Sequence, residues 1–184
     1  KLDFRPHDMI LDLGANEGVF SILMAKLFPQ THIVSLEPVP RTFYQMVRNI
    51  GLNGITNISP YNVGVGKEAG ESVLNVSNDF SGGSSSMCIY VPADHIRTPV
   101  KVLSLSDIFD LFIPDRCRLL KIDIEGAEYD ALYNSPMITR IDYMTAEIHI
   151  NRHIEARGYR PDALATWLSD RTQLVWIDVC QMAE

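Results

Sequence analysis

The sequence predicts an α/β protein: a mostly parallel central sheet with helices on both faces and a small β-rich insertion. Three observations carry this expectation. Residues 9–63 alternate short apolar runs with helical patterns over short connections, in the order β-α-β-α-β, and parallel neighbours need crossovers that cover both faces of the sheet. The first apolar run, MILDL, ends in a glycine turn that opens a helix. Residues 64–103 then break the alternation with strand-like runs around a Gly/Ser tract.

In order, the first strand is Met9 to Leu13. A helix follows from about Asn16 to Phe28, with Val19, Phe20, Leu23, Met24 and Leu27 on one apolar stripe and Pro29 ending it. His32 to Glu37 is the second strand, and a helix from Pro40 to Asn49 has its proline in the first turn, where the missing N–H does no harm. Asn57 to Val63 is the third strand. Within the insertion, Ser72 to Val76, Met87 to Val91 and Val100 to Leu103 are strand-like, and the tract SNDFSGGSSSM is either a lid or a solvated linker. Leu105 to Phe112 is a short helix, Arg118 to Ile124 the fourth strand, and Gly126 to Tyr133 a helix. Asp142 to Ile150, the helix Pro161 to Arg171 and the sixth strand Gln173 to Val179 complete the chain. Phe43, Tyr44, Met46, Tyr129 and Trp167 recur at helical spacing and are assigned to the core, with Tyr90 as an acceptor contact.

A single domain, 1–184, is expected, open to trimming at one or both ends because the chain opens at Lys1. Acidic residues outnumber basic ones, 23 to 16, for a net charge of -7, which argues against nucleic-acid backbone as the main partner. Cys88, Cys117 and Cys180 are odd in number and far apart, so a reducing, cytoplasmic setting is expected. No apolar run reaches membrane-spanning length and no signal-peptide pattern opens the chain, so no membrane partner is expected. The oligomeric state is not legible.

The turn reads Asp12-x-Gly14-x-x-x-Gly18, with Asn16 inside it. It has one early glycine where the dinucleotide fingerprint G-x-G-x-x-G has two. Glu37 closes the second strand about 20 residues later, where an acid can accept both hydroxyls of a ribose; otherwise it is a solvated strand end before Pro38. Turn and acid together point to an adenosine ligand. Asp12 and Glu17 would repel the phosphates of a dinucleotide and suit a ligand carrying an ammonium and a sulfonium, S-adenosylmethionine. The same reasoning disfavours, without removing, a nucleotide-dependent oxidoreductase. A cofactor-binding domain without catalysis also stays open.

LDLGANEG, SLEPVPRTF with the following NIGLN, YNVGVG and LLKIDIEGAEYDAL together resemble the FkbM family of S-adenosylmethionine-dependent methyltransferases. The resemblance spans residues 9 to about 150. It implies a Rossmann-like class I methyltransferase fold, with cofactor contacts at Gly14, at Glu37 for the ribose and around Asn62 for the adenine. It also implies O-methylation of a small-molecule or glycan acceptor. Gly64 stands where the family usually has alanine, and Ser106 where it often has aspartate. A seventh strand normally follows the sixth in this fold, and the chain stops short of one.

Strand alternation puts Lys121, Asp123 and Glu125 on one side of the fourth strand. Charges at an interior strand end must be paired or face an open cleft, and in parallel sheets that cleft lies at the carboxyl ends. Asp123 is therefore expected beside the methyl-donor pocket, together with Asp12, Gly14, Asn16, Gly18, Glu37 and Asn62 as cofactor contacts. Lys121 either shares this role or pairs with Asp12 or Asp123. Glu125 and Glu128 either join the site or complement the dipole of the next helix. Glu147 and His149 end the fifth strand on one side: His149 can accept a proton near neutral pH, with Glu147 orienting it or the acceptor. The catalytic set is thus Asp123, Glu147 and His149. A metal held by these three is the less favoured alternative, and no metal is expected.

Overall fold

In the computed structural model, residues 2–77, 85–86 and 95–181 are described. The Met87–Val91 run, Tyr90, Cys88 and all of the Gly/Ser tract except Ser77, Ser85 and Ser86 lie outside them. The elements are β1 (Met9–Leu13), α1 (Val19–Leu27), β2 (His32–Leu36), α2 (Pro40–Leu52), β3 (Ile58–Tyr61), β4 (Gly64–Gly66), β5 (Gly70–Ser77), β6 (Ser85–Ser86) and β7 (His95–Ser104). After these come α3 (Leu105–Phe112), β8 (Cys117–Ile122), α4 (Glu128–Leu132), a 3-10 turn (Pro136–Arg140), β9 (Ile141–Ile150), α5 (Arg152–Ala156), α6 (Pro161–Ser169) and β10 (Gln173–Gln181).

Six strands form one wholly parallel sheet in the order β10-β9-β8-β1-β2-β3. The order reverses direction at β1, which sits between β8 and β2, and this is where α/β sheets open a crevice at their carboxyl ends. Side-chain alternation divides the core. Leu11, Leu13, Val34, Leu36, Leu120 and Ile122 pack on one face with Phe109, Tyr129 and Leu168 from α3, α4 and α6. Ile10, Ile33 and Leu119 pack on the other with Met24 and Met46 from α1 and α2. The insertion is a four-stranded sheet, β4-β7-β5-β6, whose β5–β7 pair is antiparallel. It has its own small core of Val39, Leu74, Val100 and Val102. Among the described residues no helix is long and apolar enough to cross a membrane.

Among the described residues the predicted elements are present, with corrections that have physical causes. The first helix begins at Val19, not near Asn16, because Gly14, Asn16 and Gly18 all adopt positive φ (76°, 51° and 84°) and cannot continue a helix. Of its predicted apolar stripe, Met24 is buried and Phe20 packs on the core, but Val19, Leu23 and Leu27 are turned outward, 72%, 53% and 58% exposed, and Ser21 and Ala25 are buried instead. Ser21 sets that phase by donating to Asp12 at 2.6 Å and bonding Ser35 at 2.7 Å beneath the helix. Tyr44, assigned to the core, is 71% exposed, whereas Met46 and Tyr129 are fully buried. The fourth strand stops at Ile122, and Glu125 turns left-handed at φ 53°. β4, the 3-10 turn and α5 carry too few periodic apolar positions to have been predicted.

Candidate active site

β1 ends in a turn wedged between its neighbours. The amides of Gly14 and Ala15 donate to the carbonyl of Leu36 at 3.0 and 2.9 Å, which ties the turn to the end of β2. On the other side, a Cβ at Gly14 would lie 1.8 Å from the carbonyl oxygen of Asp123, so only glycine fits there. A Cβ at Gly18 would lie 2.8 Å from Met46 Cγ. Glycine at both positions therefore lets the turn sit low between β2 and β8, with the first amides of α1 at the sheet's carboxyl edge.

Glu37, just past β2, is buried, and its two oxygens accept the amides of Asn16 (3.0 Å) and Val39 (2.9 Å). A carboxylate offers about four lone-pair positions, so two remain for a ligand's hydroxyls. Burial pushes this carboxyl up to about 7, against the backbone amides of Val39 and Asn16 and the charge of Lys121. Asn62 braces the same strand end, its side-chain amide donating to the carbonyls of Glu37 (2.8 Å) and Pro38 (3.0 Å).

Asp12 lies under the turn. It pairs in register with Ser35 of β2 and Lys121 of β8, and its side chain is fully buried. Ser21 donates to Oδ2, while Lys121 Nζ stands 3.6 Å from Oδ1, which receives no hydrogen bond among the described residues. Burial raises this carboxyl, and Lys121 opposes the rise. Lys121 also donates to the carbonyl of Gly14 at 2.8 Å and reaches Asp123 Oδ2 at 3.4 Å. The lysine thus takes the internal pairing, to both aspartates, and fastens the glycine turn to β8.

The second cluster sits at the carboxyl ends of β8 and β9. His149, on β9 and buried, bonds through Nδ1 to Glu128 Oε1 at 3.0 Å. Its Nε2 lies 3.4 Å from Glu125 Oε2 and 3.6 Å from Glu147 Oε1. Burial works against a charge on His149, but the Glu128 hydrogen bond and the carboxylates of Glu128, Glu125 and Asp123 raise it to about 9. Burial, reinforced by Asp123, Glu128 and Glu147 against the opposing charge of His149, pushes Glu125 up to about 7. Glu147 Oε1 also receives the Cys180 thiol at 3.0 Å, and this bond pushes Cys180 up to about 12. His153 stands apart on α5, whose cap is Asn151.

The structure therefore brings Gly14, Asn16, Gly18, Glu37 and Asn62 together around one turn, with Asp12 beneath it. Asp123, Glu147 and His149 gather beside them across Lys121. Sequence reasoning left open a helix-dipole role for Glu128. Fully buried, Glu128 instead accepts the amides of Ile124 and Gly126, each at 3.1 Å, and fixes the ring of His149. Only the contact across the sheet, 21 residues apart in sequence, reveals this.

A parallel six-stranded sheet with this turn and acid at its reversal point is a Rossmann-like α/β fold of the methyltransferase type. The chain belongs to the methyltransferase FkbM domain family, whose profile matches residues 12–174. It is 30% identical to "Methyltransferase 1" of Beauveria bassiana (strain ARSEF 2860), over 70% of this chain and 59% of that protein. It is 28% identical to "Methyltransferase sdnD" of Sordaria araneosa, over 67% of this chain and 58% of that protein. It is also 24% identical to the AMB antimetabolite synthetase AmbE of Pseudomonas aeruginosa, over 89% of this chain but 9% of that much longer protein. The chain thus spans less than two thirds of the length of each of these relatives.

Proposed function

We propose that this chain is an S-adenosylmethionine-dependent methyltransferase domain that methylates a hydroxyl oxygen of a small metabolite or glycan. The observation that carries this reading is the pairing of the Gly14–Gly18 turn with Glu37, whose carboxylate is held in place by two backbone amides and keeps acceptor positions free. The residues present fit such a ligand. Gly14 and Gly18 let the turn pack closely on Asp123 and Met46, Glu37 takes the ribose hydroxyls, and Asn62 holds the strand end beside the adenine. Acids rather than arginines surround the turn, which suits a cationic amino-acid sulfonium better than a pyrophosphate.

When bound, S-adenosylmethionine supplies a methyl group already activated on a sulfonium. What remains for the chain is to place the acceptor oxygen in line with it, an effect worth up to roughly 7–11 kcal/mol, and to remove one proton. Asp123 and Glu147, exposed enough to meet an acceptor, are the groups that take that proton. His149, raised to about 9, is protonated near neutrality, and its ring, set by Glu128, orients the acceptor and the neighbouring carboxylates. Replacing Asp123 with asparagine is expected to lower kcat about 100-fold or more while leaving the fold intact. The test is release of S-adenosylhomocysteine with a panel of sugar and polyketide hydroxyls. Binding of the cofactor without turnover on any hydroxyl would leave a binding module and refute the catalytic reading.

A further inference from the structure

We propose that Asp123, Glu125 and His149 form a divalent-cation site at the carboxyl ends of β8 and β9. One ligand atom from each of the three lies within 4.8 Å of the others. Ligands about 2.1 Å from a common ion stand roughly 3.0–3.6 Å apart when three share it, so atoms within 4.8 Å of one another close by about 1 Å around an ion.

Ring orientation is the second, independent observation. A histidine ligand must present one nitrogen to the ion while the other is held, commonly by a carboxylate behind it. Glu128 does this here. It is fully buried, anchored by the amides of Ile124 and Gly126, and bonded to Nδ1 at 3.0 Å. Nε2 is thereby directed at Glu125 and Glu147. Glu128 is too enclosed to meet a ligand itself, whereas the side chains of Asp123, Glu125 and Glu147 are 31%, 25% and 34% exposed.

Charge points the same way. Four carboxylates, Asp123, Glu125, Glu128 and Glu147, surround one imidazole. The nearby lysine, Lys121, is shared with Asp12 and the carbonyl of Gly14. A cation relieves the repulsion among these acids more fully than a single ring proton does. Two carboxylates with one imidazole suit a hard to borderline ion such as Mn²⁺. Glu147, His149 and Cys180 form a second, overlapping group. There the thiol already donates to Glu147 at 3.0 Å, and for a hard ion the oxygen-rich set is the better host.

Resting on the methyl-transfer reading above, the site also names an acceptor class: molecules with two adjacent oxygens, such as vicinal diols or α-hydroxy acids, that chelate the ion. The hydroxyl becomes more acidic against the ion, and with Asp123 holding the ion its proton passes to Glu147 alone, 3.6 Å from Nε2 and outside the ligand set. The oxygen's electron pair forms the new O–CH3 bond as the S–CH3 bond breaks, and the sulfur leaves with its electrons as the neutral thioether.

The experiment is titration of the EDTA-stripped, dialysed chain with MnCl2, read by calorimetry and by the loss of the free-ion paramagnetic resonance signal. One Mn²⁺ per chain is expected. Glu125→Gln and Asp123→Asn should each weaken it at least 10-fold, and Glu128→Gln, which alters the support of the ring behind the ion as well as the amide contacts of Ile124 and Gly126, about 10–100-fold. Circular dichroism melting of each variant separates lost ligation from lost folding, and the partly exposed Glu125 gives the variant least able to disturb the core. Absence of saturable Mn²⁺ binding overturns the proposal. So does a site abolished by Cys180→Ser yet indifferent to Asp123→Asn. S-adenosylmethionine titrated in EDTA is the separate arm: cofactor binding without Mn²⁺ binding sinks this inference alone, and Mn²⁺ binding without cofactor binding sinks the methyl-transfer reading alone.

Discussion

Glu37 shows most plainly how burial and function conflict at one side chain. Its carboxyl, ordinarily near 4.5, is pushed up to about 7 by burial. Between these values the folded chain holds a proton that the unfolded chain has released, so stability falls as pH rises from 4.5 towards 7 and levels off above. At 1.36 kcal/mol for each pH unit, the loss is on the order of 3 kcal/mol. Denaturant melts of the wild type from about pH 5 to about pH 8 should show this loss together with that of Glu125, raised over the same window, and Glu37→Gln should remove the Glu37 share of it. The same variant keeps one acceptor and gains a donor facing the ribose, so its affinity for S-adenosylmethionine should fall about 10-fold. Gly14 is the opposite case, a residue needed for what it lacks. Gly14→Ala combines φ 76° with a 1.8 Å clash against a backbone carbonyl, and a loss of about 3 kcal/mol or more is expected in equilibrium unfolding.

Among the elements, α1 tests the packing most sharply, because its composition and its orientation disagree. Leu23 faces outward and Met24 inward. In this chain Leu23→Ser should change stability by no more than about 0.5 kcal/mol, whereas Met24→Ala should cost about 2–4 kcal/mol. Equal losses at both positions would show that the helix is rotated from the phase described. Ser104 makes a capping box with Asp107 at the start of α3, and Ser104→Ala should cost about 1 kcal/mol in the same measurement. Apolar content alone located α1, and its rotation was illegible because one serine, bound to Asp12 and Ser35, outranks three leucine or valine side chains in setting the buried face. The strands were more legible. In a sheet covered on both sides each is a nearly unbroken apolar run, so an acid such as Asp12 or a lysine such as Lys121 within it stands out. The partners of those charges were only partly legible. Lys121 with Asp12 and Asp123 could be anticipated from strand alternation, but Glu128 behind His149 depends on how α4 returns over β9.

At the scale of the whole molecule, the parallel sheet gathers its polar investment at one edge. The glycine turn after β1, Glu37 after β2, Asp123 and Glu125 after β8, and Glu147 and His149 at the end of β9 all lie at carboxyl ends. Between their ends the inner strands β1, β2 and β8 are mostly apolar on both faces apart from the Asp12–Ser35–Lys121 layer. That arrangement follows from topology: a sheet whose order reverses at β1 opens one crevice there, and only residues at strand ends can line it without being desolvated. On the proposed reading, a turn with one early glycine and neighbouring acids selects the sulfonium ligand over a dinucleotide. Isothermal titration of the chain with S-adenosylmethionine and, separately, with NADH measures that choice directly. Saturable binding of the sulfonium ligand, lost in large part in Glu37→Gln, with no binding of the dinucleotide, is the predicted result. Uptake of NADH with no response to S-adenosylmethionine would contradict it.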